Sequence, residues 1–368
     1  MKLLVDAHCF DYSTSEGINT YVQGLYSALI KTATDIDFFF VGRDIEKLKK
    51  IFGEAPNINY IPLVSKNKIY RLFFEFPHII KKNRIDVAHF QYISPLIKNC
   101  RTIVTLHDIL FKDFPSMFPL GYRLSKNILF KLSAKRADLL LTVSEYSRGR
   151  IAYHYVIPED KIIVTPNAVA DDLANVDKKT AKRFTASKGV NKYILYISRI
   201  EPRKNQVDLL RAYIDLHLAE KGYHLVFIGR KTIEVPELER LMDSIDNKEK
   251  KYIHFINQVS YEELKMWYSA ASLFVYPALA EGFGIPPIEA GVAEIPCICN
   301  NQTAMEDFTF FEDNLLDVKD FVLLKKKIIE NLENQPNVKQ IKKAITSKYN
   351  WKEVAKKLYK RLSDYKID

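Results

Sequence analysis

The sequence predicts an α/β protein of two doubly wound, Rossmann-like domains, each a parallel sheet wrapped by helices. Short runs rich in Val, Ile, Leu and Phe alternate with longer amphipathic stretches, which is the rhythm of β-α-β units. That rhythm lapses over residues 166–192 and then starts again. The length, 368 residues, also asks for two cores, since a single domain takes about 100 to 200 residues.

The first series has strands at 2–7 (KLLVDA), 37–42 (DFFFVG), 86–90 (DVAHF), 101–106 (RTIVTL), 138–143 (DLLLTV) and 161–164 (KIIV). Helical spacing lies between them at 18–33, 43–52, 69–82, 121–137 and 145–156. The polar stretch PNAVADDLANVDKKTAKRFTASKGVNK then reads as a connection. The expected division is a first domain over 1–168, a linker over 169–192 and a second domain over 193–349. The second series has strands near 193–198 (YILYIS), 224–229 (HLVFIG), 252–256 (YIHFI), 272–276 (SLFVY) and 296–299 (PCIC). In the last segment, 350–368, Trp351, Val354, Ala355, Leu358 and Leu362 form one apolar face under a basic one. Such a helix is expected to pack back on the first domain.

Composition excludes several classes. The 47% hydrophobic and 27% charged shares are those of a folded chain, neither disordered nor integral to a membrane. Glycine supplies only 12 residues, less than half the usual share of roughly 7%. No G-x-G-x-x-G and no Gly-Lys-Ser/Thr occurs, which weighs against a dehydrogenase or a P-loop NTPase. The four cysteines contain no C-x-x-C, so a reduced compartment without a structural metal is expected. No run approaches the roughly 18 apolar residues of a membrane span, and a cytoplasmic protein is expected. Residues 1–168 hold 23 Lys/Arg against 16 Asp/Glu, a net +7 of the total +10. Such a bias attracts anions: headgroups, nucleic acid or phosphorylated substrates.

The most informative segment is VYPALAEGFGIPPIEAGVAEIPCICN, 275–300. A strand runs into the loop 277–283, and a helix opens near Gly284 with Pro286 and Pro287 in its first turn, where a missing N–H is harmless. Phe283, Gly284 and Ile285 are then the backbone donors for an anion at the helix start. Glu281 before that start and Glu289 a turn inside it suit hydroxyl-rich parts of a ligand, by accepting hydrogen bonds. In SRIEPRKNQ, 198–206, Arg199, Arg203 and Lys204 gather at a strand's carboxyl end, as a diphosphate requires. In the first domain Gly17 precedes a helix after strand 2–7, and His107 ends strand 101–106, where an imidazole can bond to a sugar.

These motifs resemble the retaining, nucleotide-sugar-dependent glycosyltransferases of family 4, with the GT-B architecture of two Rossmann-like domains facing a cleft. EGFGIPPIEA is similar to that family's E-x7-E signature and SRIEPRKNQ to its phosphate-binding segment. ADLLLTVSEYSRGRI with KIIVTPNAV resembles the run that closes its first domain. IVTLHDILFKDFP and YRLFFEFPHIIKKNRIDVAHF resemble the branch with bacterial mannosyltransferases of surface polysaccharides. The chain departs from the pattern at Glu294 and Ala168, where glycines are usual, and near Gly17, where a second glycine is.

The resemblance implies a hexosyltransferase in which Glu281 contacts the donor sugar, Glu289 the ribose, and Arg199 and Lys204 the diphosphate. The Phe283 to Ile285 backbone and the Gly17 loop would bind sugar and phosphate, and His107 would stand by sugar and acceptor. GDP-mannose is the expected donor, with a UDP- or dTDP-sugar as the alternative, its base against the loop NQVS after strand 252–256. A saccharide or lipid-linked saccharide is the expected acceptor, with an anionic membrane surface as a further partner and no nucleic acid. No cofactor or metal is expected, because cations on the chain face the leaving diphosphate and no D-x-D stands at a strand end; Asp35 and Asp37 precede a strand. An epimerase, a phosphorylase or a non-catalytic basic binding module are the rival readings.

Overall fold

The structure, a computed structural model, describes residues 1–11, 17–170, 172–334 and 336–364. It divides into two compact units, residues 1–168 with 349–368, and residues 169–348.

In the first unit seven strands form one parallel sheet: β1 (Lys2–Asp6), β2 (Asp37–Gly42), β3 (Ile58–Pro62), β4 (Val87–Gln91), β5 (Arg101–Thr105), β6 (Leu139–Thr142) and β7 (Ile162–Val164), in the order β3-β2-β1-β4-β5-β6-β7. Helices cover both faces of such a sheet, so its central strands read as unbroken apolar runs. Leu3, Leu4 and Val5 are accordingly buried on alternate faces. The strand β3 escaped the sequence reading for a related reason. It is an edge strand paired with β2 alone, half-buried and closed by Pro62, so no apolar run marks it.

The single helix expected over 69–82 is three pieces: Lys68–Tyr70, a π turn at Arg71–Glu75, and Phe76–Asn83. Pro77 has no N–H to give residue 73 and its ring crowds that carbonyl. The ladder widens just before it, Phe76 N–H donating to Arg71 O, which is how a π turn absorbs such a residue.

The helix Trp351–Ser363 belongs to this unit and lies on Gly17–Thr32. Lys357 Nζ donates to Val164 O at 2.8 Å and Tyr359 Oη to Asp35 Oδ1 at 2.9 Å. A Cβ on Gly24 would run into the Trp351 indole, so this helix crossing needs glycine in mid-helix.

The segment expected as a linker is instead part of the second unit. Lys178–Ser187 is a helix, capped by Asp177, that packs on Tyr261–Ala270. Only Ala181 and Thr185, one turn apart, are buried in it, so its composition is that of a loop although its periodicity is helical. The second sheet is also parallel: β8 (Lys192–Ile197), β9 (Tyr223–Ile228), β10 (Ile253–Ile256), β11 (Leu273–Tyr276), β12 (Cys297–Asn300) and β13 (Leu315–Leu316), in the order β10-β9-β8-β11-β12-β13. The two-residue β13, absent from the sequence reading, is too short to carry a pattern. Strand order reverses between β1 and β4 and between β8 and β11, and open α/β sheets bind ligands at the carboxyl ends of strands at such points.

Gly24→Ala should lower the stability of the first unit by about 1 to 3 kcal/mol through overpacking, although alanine is the better helix former by roughly 1 kcal/mol. In a Trp351→Ala background the same change should become neutral or stabilising. Chemical denaturation of the four variants closes the cycle; equal effects of Gly24→Ala in both backgrounds would contradict the contact.

Candidate functional site

At the β8/β11 reversal the chain leaves β8 through Ser198 to Glu201, makes a 3-10 turn at Pro202–Lys204 and enters the helix Gln206–Asp215. Asn205 joins the two with φ +56°, a left-handed residue that asparagine tolerates. The turn directs Lys204 inward. Tyr196 Oη donates to its carbonyl at 2.9 Å, and the Tyr196 ring stacks on Tyr276 at 5.5 Å.

The loop after β11 brings Glu281 to the same place. Lys204 Nζ donates to Glu281 Oε1 and, at 3.1 Å, to Tyr276 Oη, which itself donates to Glu281 Oε1 at 2.7 Å. Arg203 reaches Glu281 Oε2 at 3.3 Å, Glu201 Oε1 at 2.6 Å and the Ala280 carbonyl. The Glu281 N–H donates to Thr303 Oγ1 at 3.0 Å. Lys204, Glu201 and Glu281 are all buried. Burial alone would raise the Glu281 carboxyl, yet Lys204 and Arg203 overcome it and hold the group down at about 2.

The three cations of this turn are placed differently. Lys204 is buried in an ion pair with Glu281. Arg203, which the family resemblance did not carry over, is the second cation on Glu281. Arg199 points elsewhere, its side chain 48% exposed and its guanidinium 3.9 Å from Glu201. Arg203 and Lys204 contact Glu201 and Glu281, and Arg199 is a third cation of this turn, half exposed.

Glu289 is separate from the cluster: Tyr268 Oη donates to it at 2.8 Å, and burial raises its carboxyl above the usual range. Between the glutamates Gly284 caps the helix Ile285–Val292 with φ +98°. A Cβ there would come within 2.9 Å of Met305 Cγ, so both conformation and space demand glycine. Phe283 is buried and packs edge-on to Phe308 at 5.8 Å, and Ile285 is half-buried in the first turn. Three polar atoms around this edge, Asn205 Nδ2, Gln206 Oε1 and Asn300 Oδ1, are buried without a hydrogen-bond partner in the protein.

Beyond β9 and β10 lies a cavity of about 440 Å³ lined among others by Ile200, Gly229, Leu238, Met242, Phe255 and Asn257. Asn257 is the first residue of NQVS. Among the described residues His217, Glu220 and Glu249 form a trio with metal-ligand spacing, and all three precede β9 or β10, at the opposite edge of the sheet.

In the first unit His107 is buried just beyond β5. Its Nε2 lies 2.8 Å from Gln91 Oε1, while Gln91 Nε2 lies 3.3 Å from His89 Nε2. His89 in turn contacts Thr105 Oγ1 at 2.7 Å and Tyr26 Oη at 2.5 Å. With the amide turned this way, Gln91 accepts from His107 Nε2–H and leaves Nδ1 as the ring's acceptor. Burial holds both imidazoles down at about 3, so both are neutral at physiological pH. Gln91, at the end of β4, was not legible as a site residue: only its pairing across to His107 shows it. Gly17 opens the Gly17–Thr32 helix and is exposed. The loop residues before it, 12–16, lie outside the described residues.

Residues 177–364 match the family model described as Glycosyl transferases group 1, and residues 15–173 match Glycosyltransferase Family 4. O-antigen chain mannosyltransferase B of Escherichia coli is 30% identical over 325 residues, covering 80% of this chain and 84% of the relative. O-antigen chain mannosyltransferase RfbU of Salmonella typhimurium is 30% identical over 283 residues, 74% and 72% of the two chains. In fold the chain is similar to Anabaena HepE, solved in complex with UDP and glucose, with a TM-score of 0.75 over 99% of this chain and 100% of that one, at 14% identity.

Glu281 is held below its ordinary 4.5, so the stability it contributes is complete above about pH 4.5 and is lost as pH falls towards 2. The stability gap between the protein and Glu281→Gln, on the order of 3 kcal/mol at pH 6, should therefore close over that window in denaturant titrations. A gap unchanged at pH 3 would contradict the ion pair. For His89 and His107 the sign is the same and the window lies higher. The unfolded chain takes up protons below 6.5 that the folded one refuses, so the first unit should lose up to about 3 kcal/mol per pH unit between pH 6 and 4. Trp351 fluorescence in a Trp267→Phe background follows that unit, and His89→Gln should halve the slope.

Proposed function

Since this chain belongs to glycosyltransferase family 4 and carries a group 1 glycosyl transferase domain, we propose that it moves mannose from GDP-mannose to a hydroxyl of a saccharide acceptor, with retention at the anomeric carbon. The reaction class is hexosyl transfer, and two Rossmann-like units make the fold GT-B. Surface polysaccharide synthesis, O-antigen or capsule, is the setting that the mannosyltransferase relatives support. A lipid-linked saccharide on the inner face of the cell membrane is the acceptor this reading takes.

The observation that carries it is the buried Glu281, Lys204 and Arg203 cluster at the β8/β11 reversal, beside the Gly284 helix start. Charge develops on the departing diphosphate, and cations fixed before the reaction stabilise it without reorganisation. Arg199 supplies a cation that faces solvent and the Phe283 to Ile285 backbone the helix-start dipole. The unpaired Asn205, Gln206 and Asn300 atoms favour a polar ligand at this edge, because each costs free energy until it is paired. A planar base fits the cavity beside Phe255 and Asn257, and Glu289 is the partner for the ribose.

In the transfer the bond from the anomeric carbon to the diphosphate oxygen breaks as the acceptor oxygen bonds to that carbon on the same face. The acceptor proton passes to the leaving phosphate oxygen. Glu281, tied to Lys204 and Arg203, is held as a hydrogen-bond acceptor for sugar hydroxyls and not as the nucleophile. Neutral His107 offers Nδ1 to a hydroxyl. No metal enters this scheme, because Arg199, Arg203 and Lys204 are the cations it uses.

Thermal unfolding with GDP-, UDP-, dTDP- and CMP-sugars tests the donor, since binding stabilises with the logarithm of ligand over Kd. GDP-mannose should give the largest rise. Arg199→Ala should lower kcat/KM for the donor by about 2 to 4 kcal/mol with the unfolding midpoint unchanged. Activity should persist in excess chelator. A largest shift with another nucleotide would reassign the donor, and activity restored only by manganese or magnesium would overturn the metal-free scheme.

A further inference from the structure

Most of the large apolar side chains that the described residues leave exposed come from three segments of the first unit: Val64, Ile69, Tyr70, Phe73 and Phe74; Leu96 and Ile97; and the helix Leu120–Arg136. In that helix Leu120, Leu124, Ile128 and Leu132 recur every four residues on the solvent side, with Leu124 59% and Ile128 66% exposed. Phe130, Ser133 and Ala134 make the opposite, core-facing stripe. A surface helix normally turns polar residues to water, so the outer stripe is an interface by the usual criterion of a contiguous exposed patch.

The three segments adjoin. Leu72 packs against the core cluster that contains Phe130 and Ala134. The Lys68 ammonium is held down at about 8 by partial burial and by Lys126 beside it. Arg136 donates to the Leu96 carbonyl at 2.6 Å, and Lys98 to the Arg136 carbonyl at 3.3 Å. The face they share is basic. Lys66, Lys68, Lys126, Lys131 and Lys135 have no carboxylate partner among the described residues, whereas Glu75 is engaged by the backbone of Val64 and Ser65 and Asp138 by Lys98.

We infer that this face, the exposed stripe of the 120–136 helix together with Ile69, Tyr70, Phe73 and Phe74, docks on an anionic phospholipid bilayer. An apolar stripe rimmed by lysines matches acyl chains below and anionic headgroups around them. A second copy of the chain fits less well, since a two-fold contact would set each lysine rim against itself. Within the stretch 66–84 Phe76 and Arg71 are buried, so the 120–136 helix supplies the larger part of the face. The inference gives the membrane-held acceptor of the proposed function a place to be met, and is measured without donor or acceptor, so failure of either reading leaves the other standing.

Co-sedimentation of the full chain with phosphatidylglycerol/phosphatidylcholine vesicles and with pure phosphatidylcholine tests it. Binding should require the anionic lipid and weaken as salt rises from about 50 to 500 mM. Leu124→Ser/Ile128→Ser and Lys66→Gln/Lys131→Gln/Lys135→Gln should each lower the partition coefficient about tenfold or more, with unchanged unfolding midpoints because the residues lie at or near the surface. Phe74→Ser provides a second apolar variant should the first misfold. Overturning results are no binding to anionic vesicles, binding that neither variant changes, or a concentration-dependent dimer that Leu124→Ser/Ile128→Ser abolishes.

Discussion

The Glu281 carboxylate is buried and stays ionised, and that is possible because Lys204, Arg203 and Tyr276 all donate to it from fixed positions. Two buried ions are tolerated only when their geometry and remaining hydrogen bonds offset the lost hydration. Much of the local structure serves that requirement. The 3-10 turn and the left-handed Asn205 aim Lys204 inward, the Tyr196 and Tyr276 stack closes one side, and Thr303 pins the Glu281 backbone. Because β8 and β11 are neighbours, with Leu273 opposite Ile194 in the ladder, two loops far apart in sequence meet without either being long.

The two units solve the placement of polar groups in opposite ways. In the second, opposite charges are set against one another in a buried cluster. In the first, a relay of neutral groups runs from Tyr26 through His89 and Gln91 to His107, and burial is the main cause that keeps the imidazoles uncharged. A neutral chain of this kind costs less to bury than ions and fixes direction instead: each amide or ring atom is a donor or an acceptor by virtue of its neighbour. Its vulnerability is to protons, just as that of the ionic cluster is.

The parallel sheets were legible because buried strands are apolar on both faces and their helices carry the 3.6-residue period. What escaped had no such signal: β3 is a half-buried edge, β13 has two residues, and Lys178–Ser187 buries two side chains only. Glu281, Glu289, Lys204 and Gly284 stood out because a strand, a glycine turn and a proline-started helix surround them. Their partnerships did not. That Lys204 is buried against Glu281 while Arg199 faces water depends on one 3-10 turn, and spacing in sequence cannot tell a lysine that points in from an arginine five residues earlier that points out. Gln91 carries no motif at all; it matters through the strand register that sets it beside His107 and His89.

The first unit is completed by its last helix, Trp351–Ser363, whose indole covers Gly24 on a helix made some 330 residues earlier. Seen from the ribosome, the chain delivers the whole of the second unit before that cover exists. Domains fold as units during synthesis, so the second unit is free to form while the first waits with Gly17–Thr32 uncovered, its apolar crossing surface open to solvent. The protein thus has a built-in order of assembly, in which Trp351–Ser363 is the closing step of the first unit. Shortening the carboxyl terminus before Trp351 would spare every residue of the glutamate and lysine cluster and yet leave the other unit unfinished.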